Sequence, residues 1–501
     1  MRSNTFRRTL IVSVALLAFV ITIMPLKTLA QQETPPPPSA PRSVTLPKPV
    51  EKTLKNGLRV IVIERGEVPL AAAQLLVKTG GEADPSDRAG LANLTAALLT
   101  EGTNTRTAPQ IAEAIEALGG SLESGGLWDA SVARLGVMST KLDPAMAILA
   151  DITRNPAFKE EEIERQRQQL LDQLSVDMSN VGRLARFVAT RVVFGSAPYG
   201  HLLTGTPETI NRIKREDIVK FHQTYYRPDN AILVIGGHVK PDEAFKMAER
   251  MFGDWQKPAA ALPTESSAMK ETATAATAPR VLVIDKPDAG QAAVVLVRTG
   301  LKRTDPDYFR GIVTNSVLTG YSGRLNQEIR IKRGLSYGAR SALEVRRDVG
   351  PFIAETQTKN PTGAQVASLL VSELNRLSSE AITDTELTPR KAVLIGNFGR
   401  SLETVSGLVT QIGALALYGL SLDEINSYIK NVQAITAGDI QKFAGSRLGS
   451  KEASIIVVGN AKEFIDELRK QFPNVEVIRE ADLDLNGASL KKTSAGAMIN
   501  P

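Results

Sequence analysis

The hydrophobic pattern predicts the same order of elements twice along the chain. Short apolar runs are typical of buried strands, whereas apolar positions three or four residues apart are typical of amphipathic helices. The runs predict strands at residues 58–64, 231–237, 281–285 and 453–459. Helices are predicted directly after the second and fourth of these strands, at residues 241–252 and 461–472. Each half therefore opens with a strand and closes with a strand and a helix.

The similarity of the two halves extends to individual residues. Asp217–Phe221 (DIVKF) corresponds to Asp439–Phe443 (DIQKF), 222 positions later. In each half a second strand ends in Thr-Gly, at Thr79-Gly80 and Thr299-Gly300, and a long helix follows. Such repetition indicates an internal duplication. We predict an α+β protein of two homologous α/β sandwich-like halves joined by a linker, each a mixed, mostly antiparallel sheet with helices packed on one side.

The first thirty residues predict export. Arg2, Arg7 and Arg8 precede an apolar run that ends in small residues, which is typical of a cleaved signal peptide. The run is shorter than the roughly 20 residues that a membrane-spanning helix needs, and no other long apolar run follows it. We expect the mature protein to be periplasmic or secreted, with no membrane span after removal of the signal (residues 1–30).

Two segments without apolar periodicity separate the predicted domains. Residues 31–50 are rich in proline and predict an extended tether. Residues 257–279 are small and polar and predict an interdomain linker. The predicted N-terminal domain therefore spans residues 51–256 and the C-terminal domain residues 280–501, and each is long enough to bury its own core.

Charge and cysteine content exclude several classes of protein. The formal net charge is +6, but four positive charges and no acid lie in the first thirty residues, which leaves +2 for the rest. That balance indicates no nucleic-acid surface. The chain has no cysteine, so disulfides, thiolate metal sites and thiol proteases are excluded. No order of Ser, His and Asp with the supporting turn chemistry of a serine hydrolase is found either.

One predicted helix carries the pattern that bears most on function. Gly90–Thr103 reads GLANLTAALLTEGT and resembles the zinc-site helix of the pitrilysin/insulinase family of metallopeptidases, which includes mitochondrial processing peptidase. That family has His-x-x-Glu-His here, with two zinc ligands on one helical face and a general base between them. This sequence has Asn93, Ala96 and Ala97 at those positions. None of the three can replace a histidine ligand or the catalytic carboxylate.

The family's third ligand, a glutamate on a later helix, is absent as well. The run Ile163–Arg167 (IERQR) resembles the family's sequence in that helix, and counting from it places Gln173 at the ligand position. Glu101 lies two turns beyond Asn93, but an asparagine and one carboxylate make a poor zinc site. The chain has three histidines, none of which forms an i, i+4 pair: His201, His222 and His238. We therefore expect no cofactor in this chain.

Further segments extend the resemblance over roughly residues 51–472. They follow the family's order, and they are Asn56–Val60 (NGLRV), Ala197–His201 (APYGH), Gly205–Ile210 (GTPETI) and Tyr225–Ala231 (YYRPDNA). Because several segments match in order, the chain is interpreted as a member of the family whose zinc-site helix has changed. A chance likeness of one helix would not explain the other matches.

The second half keeps a second signature of the family. Leu318–Tyr337 (LTGYSGRLNQEIRIKRGLSY) resembles the segment in which an arginine and a tyrosine, seven residues apart, reach across to the zinc domain. Here they are Arg330 and Tyr337. A guanidinium and a phenol can hold a peptide carbonyl and stabilise an oxyanion. Without the resemblance, a solvated arginine and a packed tyrosine would be the simpler interpretation.

The local pattern around this pair predicts a helix over residues 323–332. Gly334 follows as a typical helix stop, and a strand is predicted over residues 335–345. The arginine and the tyrosine are then expected to project from the junction of the helix and the strand.

The resemblance implies a subunit role, because related two-domain chains pair as heterodimers. We expect a zinc-less subunit that supplies Arg330 and Tyr337 in trans to a homologous zinc-bearing peptidase, with an unfolded peptide as substrate. The alternative is a stand-alone pseudo-peptidase that binds peptides or scaffolds an envelope assembly.

A peptide-binding edge is expected at Ser121–Val137 (SLESGGLWDASVARLGV). By resemblance, this segment offers an exposed edge strand to the substrate. Gly125 and Gly126 are expected to weaken its regular pairing. Trp128 is a candidate substrate-binding residue, although a lone tryptophan is also common in a core.

Overall fold

The computed structural model describes residues 46–66, 68–263 and 278–492. The predicted signal peptide, most of the tether and residues 264–277 of the predicted linker lie outside this part of the chain. Leu46 is buried, and its backbone N–H donates to the side chain of Asn426 at 3.0 Å. Packed structure therefore begins before Glu51, the predicted start of the first domain.

The first half contains a six-stranded sheet of order β1-β2-β6-β3-β5-β4. Its neighbouring strands are antiparallel except for the parallel pair β2 and β6. The strands are β1 (Val50–Thr53), β2 (Arg59–Glu64), β3 (Leu70–Val77), β4 (Ser121–Gly126), β5 (Ser131–Met138) and β6 (Ala231–Gly237). The helices are α1 (Leu91–Ala97), α2 (Ala108–Ala117), α3 (Leu142–Arg154), α4 (Glu160–Ser179), α5 (Val181–Phe194), α6 (Pro207–Arg212), α7 (Arg215–Tyr225) and α8 (Pro241–Phe252).

The second half repeats this plan in a sheet of order β12-β7-β11-β8-β10-β9. Here β7 is parallel to both β11 and β12. The strands are β7 (Val281–Asp285), β8 (Ala292–Thr299), β9 (Ala339–Leu343), β10 (Pro351–Thr358), β11 (Ser454–Gly459) and β12 (Val475–Arg479). The helices are α9 (Tyr308–Leu318), α10 (Gly363–Ser379), α11 (Asp384–Ser401), α12 (Val405–Leu417), α13 (Glu424–Ala434), α14 (Ala437–Arg447) and α15 (Ile465–Gln471). The predicted fold of two mixed, mostly antiparallel halves is confirmed.

Each sheet is covered on both faces, and not on one side as predicted. One face of the first sheet packs on helices of its own half. Its other face packs on α12 of the second half, where Leu408 and Ile412 join the cluster that contains Ile61 and Val234. The second cover is needed because β6 (AILVIGG) is apolar and buried along its whole length.

The arrangement is reciprocal. Helix α5 of the first half lies on the second sheet, where Leu184 and Val188 join the cluster that contains Val295 and Val458. Each half therefore contributes one helix that covers a face of the other half's sheet. No helix within the described ranges combines the length and the apolar character needed to cross a membrane.

A buried cluster of charged and hydroxyl side chains joins the two halves. Arg347 donates to the Glu82 carboxylate at 3.0 Å and to two backbone carbonyls of the first half, each at 2.8 Å. The carboxylate of Asp129 accepts the backbone N–H of Arg347 at 2.8 Å. It also accepts the hydroxyl groups of Tyr199 and Tyr418. These residues are called the junction cluster below.

The junction cluster predicts a pH-dependent stability. Burial raises the pKa of Glu82 from 4.5 to about 7, with a smaller contribution from the Asp129 charge, and this outweighs the opposing effect of Arg347. Between these two values the folded chain binds more protons than the unfolded chain, so the free energy of unfolding decreases as pH rises. We expect Glu82→Gln to remove this decrease, which amounts to up to about 3 kcal/mol between pH 5 and pH 8.

Urea unfolding at both pH values measures the effect. Glu216→Gln, which alters an exposed carboxyl on α7, is the matched control and should keep the wild-type pH dependence. Equal pH dependence in wild type and Glu82→Gln would contradict the assignment.

Candidate functional site

The positions that correspond to the family's zinc site lie on α1. The Asp84 carboxylate fixes the start of this helix by accepting the backbone N–H groups of Gly90 and Ala92, each at 2.8 Å. Gly90 has a φ of +95°, which places the chain for this turn at little steric cost. The start of α1 is therefore fixed by a carboxylate cap and a glycine turn.

The side chains at these positions do not fit a metal ion. Ala96 is fully buried, Asn93 and Ala97 are partly exposed, and only the asparagine carries a polar group. Gln173 is exposed on α4, and its amide donates to Asp177 at 3.1 Å. In the described part of the chain, no group of three or more His, Asp or Glu side chains is arranged to hold a metal ion. An amide and two methyl groups cannot replace the anionic and imidazole ligands of zinc.

The other candidate donors have structural partners. The Glu101 carboxylate accepts hydrogen bonds from Arg165 and Gln166 of α4. His201 and His222 are each paired through Nε2 with a backbone carbonyl, at 2.9 and 2.8 Å. Burial lowers the pKa of both, that of His222 to about 4. These two histidines are therefore held in the core by backbone partners.

Strand β4 is the edge of the first sheet beside α1, at the place predicted for peptide binding. The prediction that its glycines weaken pairing is wrong, because Gly125 and Gly126 pair in register with Val132 and Ser131. A Cβ on Gly126 would lie 2.6 Å from the Cα of Asn93. Glycine is therefore required here by the close approach of β4 to α1.

Trp128 lies at the junction of the two halves. Its ring centroid is 5.6 Å from that of Tyr199 and 5.3 Å from that of His201, and the guanidinium carbon of Arg346 lies 4.4 Å from it. The side chain is partly buried in the cluster that packs α5 on the second sheet. These contacts give Trp128 a packing role, and the peptide site proposed below does not include it.

Arg330 lies in a helix of unexpected type. Residues Asn326–Ile331 form a π-helix, where the sequence predicted ordinary helix. The helix ends as predicted at Gly334, whose φ is +64° and whose N–H donates to the carbonyl of Arg330 at 3.0 Å. A π-helical turn holds one extra residue per turn and is frequent at functional sites.

Tyr337 precedes the strand that was predicted to contain it. Strand β9 begins at Ala339, because Ser336 bonds the backbone of Gly338 and the Asn326 side chain accepts the N–H of Ala339 at 2.8 Å. The prediction of a strand over residues 335–345 is therefore wrong at both ends.

The backbone around Tyr337 is held firmly while its side chain projects into solvent. The Thr356 hydroxyl donates to the carbonyl of Gly338 at 2.8 Å, and the Thr358 hydroxyl donates to the carbonyl of Leu335 at 2.7 Å. Tyr337 itself is 91% exposed. An exposed tyrosine on a fixed backbone is typical of a binding surface, because little conformational freedom is lost when it makes contact.

Tyr321 is a site residue that the sequence did not single out. It is 69% exposed, and the guanidinium carbon of Arg330 lies 5.2 Å from the centre of its ring. Tyr321 and Tyr337 both line a cavity of about 740 Å³. The signal in the sequence was the aromatic residue after Gly320, within the segment that resembles the family. In the described part of the chain, no hydrogen bond, ion pair or ring contact joins Tyr321, Arg330 or Tyr337 to α1 or β4.

Two family profiles match the chain. Residues 59–190 match the profile described as insulinase (peptidase family M16), and residues 212–394 match the profile described as peptidase M16 inactive domain. The first range lies within the first half, and the second range runs from the end of the first half to the middle of the second half.

Curated proteins of similar length resemble this chain. A protein of Rickettsia bellii, named an uncharacterized zinc protease, is 29% identical over 419 residues, which cover 81% of this chain and 96% of that protein. A protein of Streptomyces coelicolor with the same description is 26% identical over 415 residues, covering 82% of this chain and 89% of that protein.

Solved structures share the fold. A structure titled peptidase M16 inactive domain, from Pseudomonas fluorescens, superposes with a TM-score of 0.75 at 26% identity and covers 82% of this chain and 98% of that chain. A protease from Helicobacter pylori gives a TM-score of 0.74 at 21% identity, over 82% of this chain and all of that chain. The second likeness supports the fold alone.

Proposed function

The chain belongs to peptidase family M16, the insulinase family, and from this premise we propose that it is the zinc-less subunit of a two-subunit peptidase. The partner is a homologous chain that carries His-x-x-Glu-His and the distant glutamate, and zinc is bound there. This chain supplies Arg330 and Tyr337 to the shared site. The complex acts on unfolded peptides in the periplasm or outside the cell, after removal of the signal peptide.

One observation carries the proposal. The segment of Arg330 and Tyr337 presents its donor side chains at the surface on a firmly bonded backbone. The positions Asn93, Ala96 and Ala97 of the same chain offer nothing that binds zinc. A chain that keeps one part of a reaction site and lacks the other is suited to act with a second subunit.

The chemistry of the pair follows from its groups. A guanidinium remains charged at any physiological pH, and a phenol donates one hydrogen bond. Arg330 and Tyr337 can therefore both donate to the carbonyl oxygen of the peptide bond that is cleaved. Their hydrogen bonds strengthen when that oxygen becomes negative, which lowers the barrier to hydrolysis.

Strand β4 supports the peptide part of the proposal. It has a sheet partner on one side only, and it carries the small residues Ser121, Ser124 and Gly125. A peptide in extended conformation can pair with its free side through main-chain hydrogen bonds. Such pairing accepts many sequences, because it uses backbone groups.

Affinity purification of the tagged chain from its native cell envelope tests the proposal. We expect one homologous chain with His-x-x-Glu-His to co-purify in equal amount, and the eluate to hydrolyse peptides in a chelator-sensitive manner. The tagged chain expressed alone should show no hydrolysis and is the control. A protein that elutes alone and inert from its native envelope would contradict the two-subunit function.

The second candidate is a stand-alone pseudo-peptidase that captures peptides or scaffolds an envelope assembly. It is favoured by the cavity of about 740 Å³, which one chain forms without a partner. In that case the same purification yields a monomer or homodimer that binds peptides without cleaving them.

A further inference from the structure

The cavity beside Tyr337 is formed by both halves of the chain. It lies where the N-terminal end of α5 meets the second sheet, near the edge strand β9. Its ionisable lining residues, apart from two tyrosines, are Arg183 and Arg186 of α5, Arg340 of β9 and Glu355 of β10. Three guanidinium groups and one carboxylate give this lining a net charge of +2.

Two of the arginines share the single carboxylate. Glu355 is only 7% exposed and accepts a hydrogen bond from the Nε of Arg186 at 2.6 Å and another from the Nε of Arg340. The Arg340 side chain is 72% exposed, and Nε is its one donor in the described hydrogen bonds. The terminal N–H groups of Arg340 are therefore open to a ligand.

Arg183 is the least engaged of the three arginines. Its side chain is 64% exposed, and the nearest carboxylate oxygen, on Asp177, lies 4.0 Å away. The first N–H groups of α5, those of Gly182 and Arg183, already donate to the side chain of Asn180. The guanidinium groups, and not the end of the helix, are thus the free donors.

We propose that this cavity binds a carboxylate of a polypeptide, either an acidic side chain or the C-terminal carboxylate. The inference deepens the proposed function and rests on it for the identity of the ligand as a peptide near Tyr337. A planar guanidinium with two free N–H groups matches the geometry of a carboxylate.

The other lining groups suit the rest of such a ligand. Gln291, Thr356 and Gln357 line the same cavity with uncharged donors and acceptors, which can bond the amide groups of a peptide backbone. A volume of about 740 Å³ falls in the range of ligand sites and admits a short stretch of chain. Tyr337 at the cavity would then contact the residues next to the carboxylate.

The first half has the opposite charges at the equivalent positions. Its edge strand carries Glu123 opposite Arg134 of β5, whereas the edge strand of the second half carries Arg340 opposite Glu355. The exposed charge at the sheet edge is thus negative in one half and positive in the other. The preference for a carboxylate is therefore specific to the second half and is not a general result of the duplication.

Fluorescence anisotropy with the purified full chain and three labelled peptides of one neutral sequence tests the inference. One peptide has a free C-terminal carboxylate, the second a C-terminal amide, and the third a C-terminal amide with one internal glutamate. We expect at least one acidic peptide to bind about tenfold more tightly than the neutral peptide. Preference for the first peptide identifies the chain terminus as ligand, and preference for the third identifies an acidic side chain.

Arg340→Gln and Arg183→Gln should each weaken the acidic peptide about tenfold and leave the neutral peptide unchanged. Arg479→Gln is the control, because Arg479 is 74% exposed, pairs with Asp482 and lies outside the cavity. Equal binding of all three peptides, no binding at all, or equal loss in the control variant overturns the inference. A missing peptidase partner would overturn the proposed function and leave this result standing.

Discussion

Replacement of Arg330 by alanine is expected to lower kcat for peptide hydrolysis by the two-subunit complex about 100- to 1000-fold. The reason is that a charged donor to the developing oxyanion is lost, while the metal site of the partner is untouched. Arg330 is partly exposed, and its side chain makes one described contact, with the ring of Tyr321. The fold and the assembly should therefore survive, and most of the effect should fall on kcat.

The controls separate this role from simple loss of charge. Arg333 lies three residues further on and pairs with Glu328, so Arg333→Ala should retain nearly full activity. Tyr337→Phe keeps the ring and removes the donor, and we expect a fall in kcat with little change in KM. An Arg330→Ala complex with wild-type kcat would show that the pair does not act on the reacting carbonyl.

Replacement of Arg347 by alanine is expected to lower the free energy of unfolding by about 3 to 5 kcal/mol. The loss leaves the Glu82 carboxylate and the backbone carbonyls of Lys78 and Asp129 without their guanidinium partner in the buried junction cluster. Breaking a buried ion pair from one side is costly, because the remaining charge stays desolvated. Urea unfolding of the purified chain at pH 8 measures the change.

A second pH value makes the test specific. Because burial raises the pKa of Glu82 to about 7, this carboxyl is largely neutral at pH 5 and needs Arg347 less. The destabilisation should therefore be smaller at pH 5 than at pH 8. Arg479→Ala, at an exposed pair with Asp482, should leave the unfolding curve unchanged. A loss independent of pH would indicate that Arg347 acts by packing alone.

Elements made of local apolar runs were predictable from the sequence. The predicted strands at residues 231–237 and 281–285 and the predicted helix at residues 241–252 agree with β6, β7 and α8 to the residue. In these segments, the spacing of apolar residues along the chain is enough to indicate a buried strand or an amphipathic helix.

Contacts between the halves were not predictable in this way. The apolar face of α5 shows that the helix must be buried, but periodicity does not say which sheet receives it. Arg346 and Arg347 meet Trp128 and Asp129 across more than two hundred residues. No spacing rule along the chain encodes such a pair.

At the candidate site, residue types were easier to predict than backbone geometry. Arg330 and Tyr337 were identified because their segment resembles the family. The π-helix was not predictable, because over six residues its hydrophobic pattern cannot be told from that of an α-helix. The need for glycine at position 126 follows from the close approach of β4 to Asn93, which is a tertiary property. Tyr321 becomes a candidate only when its ring is seen beside Arg330.

The exchange of α5 and α12 between the halves also bears on the history of the chain. A half-length ancestor with the same apolar strands would have left one face of its sheet in water. Two identical copies could cover both faces by lending each other one helix about a twofold axis. The exchange of the two helices is therefore the arrangement expected if two copies once paired symmetrically and were then joined in one chain.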